Sequence, residues 1–241
     1  MNFALSGLIA ALVFAAIYFV WYPGALFGSA GGLHLFILIA CVNLVIGPLI
    51  TLIIYVPGKR GLAFDLVVIA ILQLAALSYG VWVLFESRPV WIVFVKDRFE
   101  LVRANHIFDA ERAKAKPPFS DLAIDGPRLA AARMPTEPDE QLRIGISASA
   151  GQDVQTYPQY LIPYDAAVKR EVVAKSLPFE RLLGLNGKKS AEIGRIRERL
   201  GRPSESIRYL PLRAGKIDMT VIVDAASGDF IEIAALRPWE Y

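Results

Sequence analysis

Residues 62–85 read LAFDLVVIAILQLAALSYGVWVLF, an apolar run whose strongly polar side chains are Asp65, Gln73 and Ser78. At a rise of 1.5 Å per residue, about 20 helical residues cross the roughly 30 Å hydrocarbon core of a bilayer. This stretch is long enough to do so, and Arg88-Pro89 follows it. Two further runs lie upstream. Asn2 to Trp21 ends at Tyr22-Pro23-Gly24, and Leu33 to Val56 ends at Pro57-Gly58, where proline cannot continue a helix. Tyr18, Trp21, Tyr22, Tyr55, Tyr79 and Trp82 crowd the run ends, as amphipathic rings do at headgroup level. The expected fold class is a membrane protein: three transmembrane α-helices (about 2–21, 33–56 and 62–85) followed by an α+β extracytoplasmic domain over 88–241.

Charge divides the chain in the same place. Of its 241 residues, the first 87 carry only four charged ones, Lys59, Arg60, Asp65 and Glu86; the remainder hold 24 Lys and Arg against 21 Asp and Glu. A single soluble domain, a disordered tail and a disulfide-rich module are thereby excluded. The net charge of +3 is not gathered into one basic run, so no nucleic-acid partner is expected. Cys41, the single cysteine, lies in an apolar run and has no intrachain partner for a disulfide.

The short loop Pro57 to Gly61 is basic, and short loops obey the positive-inside rule best. It places Lys59 and Arg60 in the cytoplasm, the N-terminus inside and residues 88–241 outside. Arg88, Lys96, Arg98 and Arg103 argue the other way, but large domains translocate regardless of charge. The first run, with no Lys or Arg in Met1 to Ser6, reads as a retained anchor rather than a cleaved signal.

Asn43 and Gln73 fall near the middle of neighbouring runs, at a depth where an unpaired amide is costly. They either bond each other or await a polar group on a partner helix. Gly47-Pro48 adds a bend and frees the Leu44 carbonyl of its helical donor, which suits a notch beside Asn43. Asn43, Gly47 and Gln73 are therefore the candidate partner-helix contacts, with internal packing as the competing reading. Gly7, Ala11 and Ala15 recur every four residues, a spacing that lets helices approach closely. Asp65 fits a helix start, where the dipole favours a carboxylate.

Beyond residue 88, Val90 to Val95 reads as a strand, with Arg98 to Val102 continuing it. Ile107 to Lys116 reads as a short helix, proline-rich Pro117 to Glu140 as connection, and the alternating Leu142 to Ser147 as a strand. Helices are expected over Asp165 to Ser176, with an aspartate cap, and Lys189 to Leu200; Ile207 to Leu212 is a strand. Asp218 to Asp224 and Asp229 to Ile233 flank Ala225-Ala226-Ser227-Gly228 and predict a hairpin. Nothing in this half forms a catalytic motif: GxGxxG, P-loop, HExxH and GxSxG are absent from the sequence. With two histidines, His34 and His106, and one distant cysteine, a His/Cys metal site is hard to assemble. Lys188-Lys189 and Arg195 to Arg202 fit a solvated helix face. No catalytic residue, cofactor or metal is expected.

The ordered landmarks Trp21-Tyr22-Pro23-Gly24, Gly47-Pro48-Leu49-Ile50-Thr51-Leu52, Pro57-Gly58-Lys59, Phe64-Asp65-Leu66, Gln73-Leu74, Tyr79-Gly80, Arg88-Pro89-Val90 and Asp97-Arg98-Phe99 resemble the type IV pilin accessory family labelled TfpX/TfpZ. The likeness runs on through Tyr209-Leu210-Pro211-Leu212, the Asp218 hairpin and Pro238-Trp239. It implies a non-enzymatic bacterial inner-membrane protein in contact with membrane lipid, with a periplasmic domain, acting as a chaperone for a cognate type IV major pilin. The family supplies no catalytic residues. Two other classes stand beside it: a membrane enzyme acting on lipid or glycan through Asp65, Asp97 or His106, and a ligand-sensing membrane protein.

Overall fold

The computed structural model describes residues 11–41, 49, 50, 52, 61–215 and 217–240. The chain divides into two compact units, Met1–Arg88 and Pro89–Tyr241.

In the first unit, helix α1 spans Ala11–Trp21, and its last part, Ala16–Trp21, is wound as a π-helix. That wider turn ends when the Tyr22 N–H donates to the Ile17 carbonyl at 2.7 Å. Short α2 (Ala25–Ser29) leads into α3 (Gly32–Cys41), and α4 runs from Leu62 to Glu86. Of the three predicted spans, the third is met by α4. Among the described residues α4 is the one helix long and apolar enough to cross a membrane, and only 6% of its apolar window is buried. A soluble core helix of this composition would be mostly covered. The described parts of the first two runs are helices shorter than a bilayer's thickness requires, Ala11–Trp21 and Gly32–Cys41; residues 2–10 and most of 42–60 lie outside the described set.

Close packing inside this unit depends on two glycines. A Cβ on Gly80 of α4 would stand 2.7 Å from Ile39 Cγ1 of α3, and one on Gly32 would stand 2.9 Å from Tyr22 Cγ. Buried Tyr22 donates its hydroxyl to the Ser87 carbonyl at 2.8 Å, tying the end of α1 to the end of α4. Trp21 meets Phe85 edge-on at 5.6 Å, and the Arg88 guanidinium lies 3.7 Å over the Phe85 ring. Aromatic rings and a cation thus gather at one end of α4, the arrangement of an interfacial belt.

The second unit is built on one mixed eight-stranded sheet ordered β4-β3-β1-β2-β6-β7-β8, with β5 also paired to β6. Its strands are β1 (Pro89–Val95), β2 (Arg98–Arg103), β3 (Arg128–Ala132), β4 (Leu161–Pro163), β5 (Leu177–Pro178), β6 (Ile207–Arg213), β7 (Met219–Asp224) and β8 (Phe230–Ala234). The PVWIVFV run of β1 is buried along its whole length, as expected of a strand covered on both faces. Instead of continuing straight, Arg98–Val102 turns back: Lys96 adopts φ 56° and the Asp97 N–H donates to the Val95 carbonyl, making β1 and β2 a hairpin. Parallel pairs β1/β3 and β2/β6 flank that hairpin. Pro211, which has no N–H to give, falls at the break between the β5 and β2 ladders on β6.

Helices α5 (Asp109–Arg112), α6 (Pro138–Ala148), α7 (Ala166–Lys175), α8 (Arg181–Leu185) and α9 (Ser190–Leu200) complete the unit. Three further predictions are corrected. Leu142 to Ser147 is helical, because Pro138 at the first turn followed by Asp139 and Glu140 starts a helix. The connection Pro117 to Glu140 contains β3, an alanine-rich strand held by its pairing to β1. The expected Ile107–Lys116 helix is a single turn. The Asp165 cap, the Lys189–Leu200 helix, the Ile207 strand and the Asp218 hairpin take the forms predicted; the Asp165 carboxylate accepts from the Ala167 and Val168 N–H groups.

Two clusters make the described core. One joins Val90, Trp91, Val93, Val102 and Ala130 to Ile144, Val154 and Tyr157. The other packs Phe179, Leu182, Ile193 and Ile196 on Ile207, Tyr209 and Ile222. Asn186 closes the second: its amide donates to the Leu182 and Arg237 carbonyls and its oxygen accepts the Arg237 N–H.

Candidate functional site

Of the three predicted partner-helix contacts, Asn43 and Gly47 lie outside the described residues, as do Gly7, Pro48, Lys59 and Arg60. Gln73 is half-buried on α4. It precedes Gly80 by seven residues, two helical turns, and so shares the α4 face that packs on Ile39. On another side of α4 a groove of about 460 Å³ is lined by Val13 and Trp21 of α1 with Leu77, Ser78, Val81, Trp82 and Phe85.

The acids and the histidine weighed for catalysis stand apart. Asp65 occupies the first turn of α4, its N–H on the Gly61 carbonyl. Asp97 sits exposed at the β1–β2 turn, 3.6 Å from Arg98. His106 is half-buried after β2; burial, then the charge of Arg103, lowers its pKa. Among the described residues no group of three or more His, Cys, Asp or Glu is placed to hold a metal.

One charged cluster is a structural tie. Glu111 of α5 accepts from Lys114 at 3.0 Å, Arg143 at 3.0 Å and Gln159 at 2.6 Å, while Glu140 accepts from Arg143 and the Tyr160 hydroxyl at 2.7 Å each. Partial burial would raise the Glu111 pKa, but these donors outweigh it and hold the carboxylate charged. Both carboxylates of the tie are matched by donors, which suits joining α5 to α6 better than binding, although the buried Gln159 Oε1 has no partner among the described residues.

The second unit carries a cleft of about 560 Å³ at the β3 edge. Its walls come from β1 (Trp91), the loop before β3 (Phe119), β3 (Leu129), the β4–α7 junction (Tyr164), α7 (Lys169) and β8 (Phe230). The reason for an opening there is a missing partner. β4 pairs with Ala130, Ala131 and Ala132 of β3 and then ends at Pro163, whereas Arg128 and Leu129 pair only with β1. The Arg133 N–H donates to the Tyr160 carbonyl on the β4 side. By strand alternation Leu129 turns its own N–H and C=O to that same side, past the end of β4.

The far wall is the β7–β8 turn, and it is fixed. The Tyr164 hydroxyl donates to the Gly228 carbonyl at 2.8 Å, Lys169 and Asp229 pair at 2.6 Å, and a Cβ on Gly228 would meet the Lys169 carbonyl oxygen at 2.4 Å. Asp224 folds the turn by accepting the Ala226 and Ser227 N–H groups. The ammonium of Lys169, then Ser227, lowers the Asp229 pKa, so this carboxylate stays ionised; burial raises the Tyr164 pKa, so its hydroxyl stays a donor. Trp91 is 2% exposed, and its buried indole N–H has no acceptor among the described residues. A donor withheld from both water and protein is unusual and costly.

Sequence reading missed this cleft. Its walls are scattered from residue 91 to residue 230, and only the Asp229 turn was visible as a local pattern.

Comparison with known proteins supplies the family. The chain is 29% identical over 227 residues to a fimbrial assembly protein of serogroup I from Dichelobacter nodosus, and 27% identical over 227 residues to that of serogroup E1. Each alignment covers 93% of this chain and 88% of the relative. A third, the fimbrial assembly protein of serogroups C1 and C2, is 35% identical over 117 residues, 48% of this chain and 89% of that protein. No family model matches the chain, and no solved structure matches it. With that identity over nearly the full length of a relative, the chain belongs to the fimbrial assembly protein family.

Proposed function

We propose that this protein is a non-enzymatic accessory factor of type IV pilus assembly in the bacterial inner membrane, chaperone-like toward a cognate major pilin, as the resemblance to the TfpX/TfpZ group implies. The observation that carries the proposal is the likeness to fimbrial assembly proteins along 93% of the chain. The uncovered apolar helix α4 supports membrane residence. In this reading the chain crosses the membrane three times, with Lys59 and Arg60 cytoplasmic and residues 89–241 periplasmic.

A pilin awaiting assembly offers an apolar helix in the bilayer and a folded head outside it. The first unit would meet the helix and the second the head. Asn43, Gly47 and Gln73 are the proposed helix contacts: an amide at mid-depth binds a polar group on a neighbouring helix, and glycine allows close approach. Gln73 lies on the α4 face where Gly80 already admits Ile39. The test is site-specific photocrosslinking from these three positions in pilin-producing cells, together with the pilin level in a strain lacking the protein. Crosslinks to pilin, and loss of pili on deletion, are expected. Unchanged piliation on deletion would overturn the proposal.

A further inference from the structure

We propose that the cleft at the β3 edge is a peptide-binding site that takes an extended segment of the pilin head. The inference rests on the assembly role proposed above and goes beyond it by naming where, and in what conformation, the partner is held.

Three independent features describe the occupant. Leu129 presents a backbone N–H and C=O past the end of β4, so one face of the cleft is a strand edge; an incoming extended chain completes it, as in β-strand addition. Trp91 lines the cleft, and its indole N–H is closed to water and has no acceptor among the described residues; an occupant that shifts the ring toward the opening supplies one, and a backbone carbonyl is the acceptor that every extended chain carries. Phe119, Phe230 and Leu129 line a volume of about 560 Å³, which calls for an apolar side chain. The charged groups at the rim are already matched, Lys169 by Asp229 and Arg128 by Asp125. A neutral, apolar stretch therefore fits better than an anionic or cationic one. The same matching argues against a small charged ligand.

The three features also meet at one place for a topological reason. Trp91 belongs to the sheet face of Val93 and Val102, while Tyr164 packs on Phe99 of the opposite face. A cavity lined by both passes around the sheet edge, and it exists because β4 is two residues shorter than the β3 it covers. An added strand would sit there, continuing β4.

The experiment uses the full chain in membranes of pilin-producing cells, with benzoylphenylalanine at Phe230 in the cleft and, separately, at Gln73. The expected result is a Phe230 crosslink that maps to a short segment of the pilin head. Trp91→Phe keeps an aromatic ring in the core and removes the N–H; it should lower that crosslink about fivefold to tenfold, the worth of one buried hydrogen bond. Leu129→Pro removes the edge donor and should abolish it, leaving the Gln73 crosslink unchanged. Crosslinking from Gln73 but not from Phe230 overturns the cleft and leaves the assembly role standing. A Phe230 crosslink to lipid or to this chain alone also overturns it. An unchanged Phe230 crosslink in both Trp91→Phe and Leu129→Pro does the same. Absence of crosslinks from both positions, with pili intact on deletion, removes the assembly role as well.

Discussion

Replacing Gly228 by alanine places a methyl group 2.4 Å from the carbonyl oxygen of Lys169 and 2.9 Å from its carbonyl carbon. Both are backbone atoms of α7, which cannot rotate aside, and ordinary contact begins at 3.4 Å. The β7–β8 turn must therefore back away from the helix. Doing so breaks the 2.8 Å bond from the Tyr164 hydroxyl, worth about 1 kcal/mol, and pulls Asp229 from Lys169, an exposed pair that adds little. Alanine at φ +73° adds about 1 kcal/mol. The sum is about 2 kcal/mol, or a fall in Tm of about 4–8 °C for a unit of this size. Gly201→Ala is the control: its φ is +60°, yet nothing lies within 4 Å of the new atom, so about 1 kcal/mol is expected. Thermal unfolding of the full chain in detergent, followed by tryptophan emission, compares the two. Equal shifts would show that contact with α7 does not hold the turn.

Gly80→Val forces a side chain onto Ile39 at 2.7 Å and should weaken the α3–α4 contact by about 1–3 kcal/mol; because the obstacle is a side chain, Ile39→Ala should restore much of the loss in a denaturing-detergent titration. Asn186→Ala removes both carbonyl partners and the acceptor of the Arg237 N–H, a loss of about 2–3 kcal/mol that limited proteolysis would read as earlier cleavage near Arg237. His106 is held neutral, by burial first and Arg103 second. The unfolded chain therefore binds the proton first as pH falls through about 6.5, and stability declines below that value; His106→Gln should flatten the stability profile between about pH 5 and 7.

The front of the chain announced itself because an apolar run needs no tertiary context to be recognised, and α4 begins at Leu62 as its sequence indicates. Local signals also carried the Asp165 cap and the Asp218 hairpin. Where pattern and context diverged, context won. Leu142, Ile144 and Ile146 alternate like a strand, yet in α6 only Ile144 is buried while Leu142 and Ile146 are each 65% exposed; the alternation had no core behind it. The RLAAA sequence of β3 has little strand propensity and takes its form from β1 alongside. The cleft followed the same logic, since it is produced by the length of one strand relative to its neighbour, which no residue type records.

The pairing of β2 with β6 joins Phe99 to Leu212, more than a hundred residues later. At ribosomal speeds of about 5–20 residues per second, the hydrophobic hairpin of β1 and β2 is finished and waits roughly 5–20 seconds for the strand that seals it. A nascent chain stalled before Ile207 would expose an open, apolar sheet border to other nascent chains. Truncations or rare-codon pauses in that interval are thus expected to end in aggregation or degradation rather than in a smaller working protein.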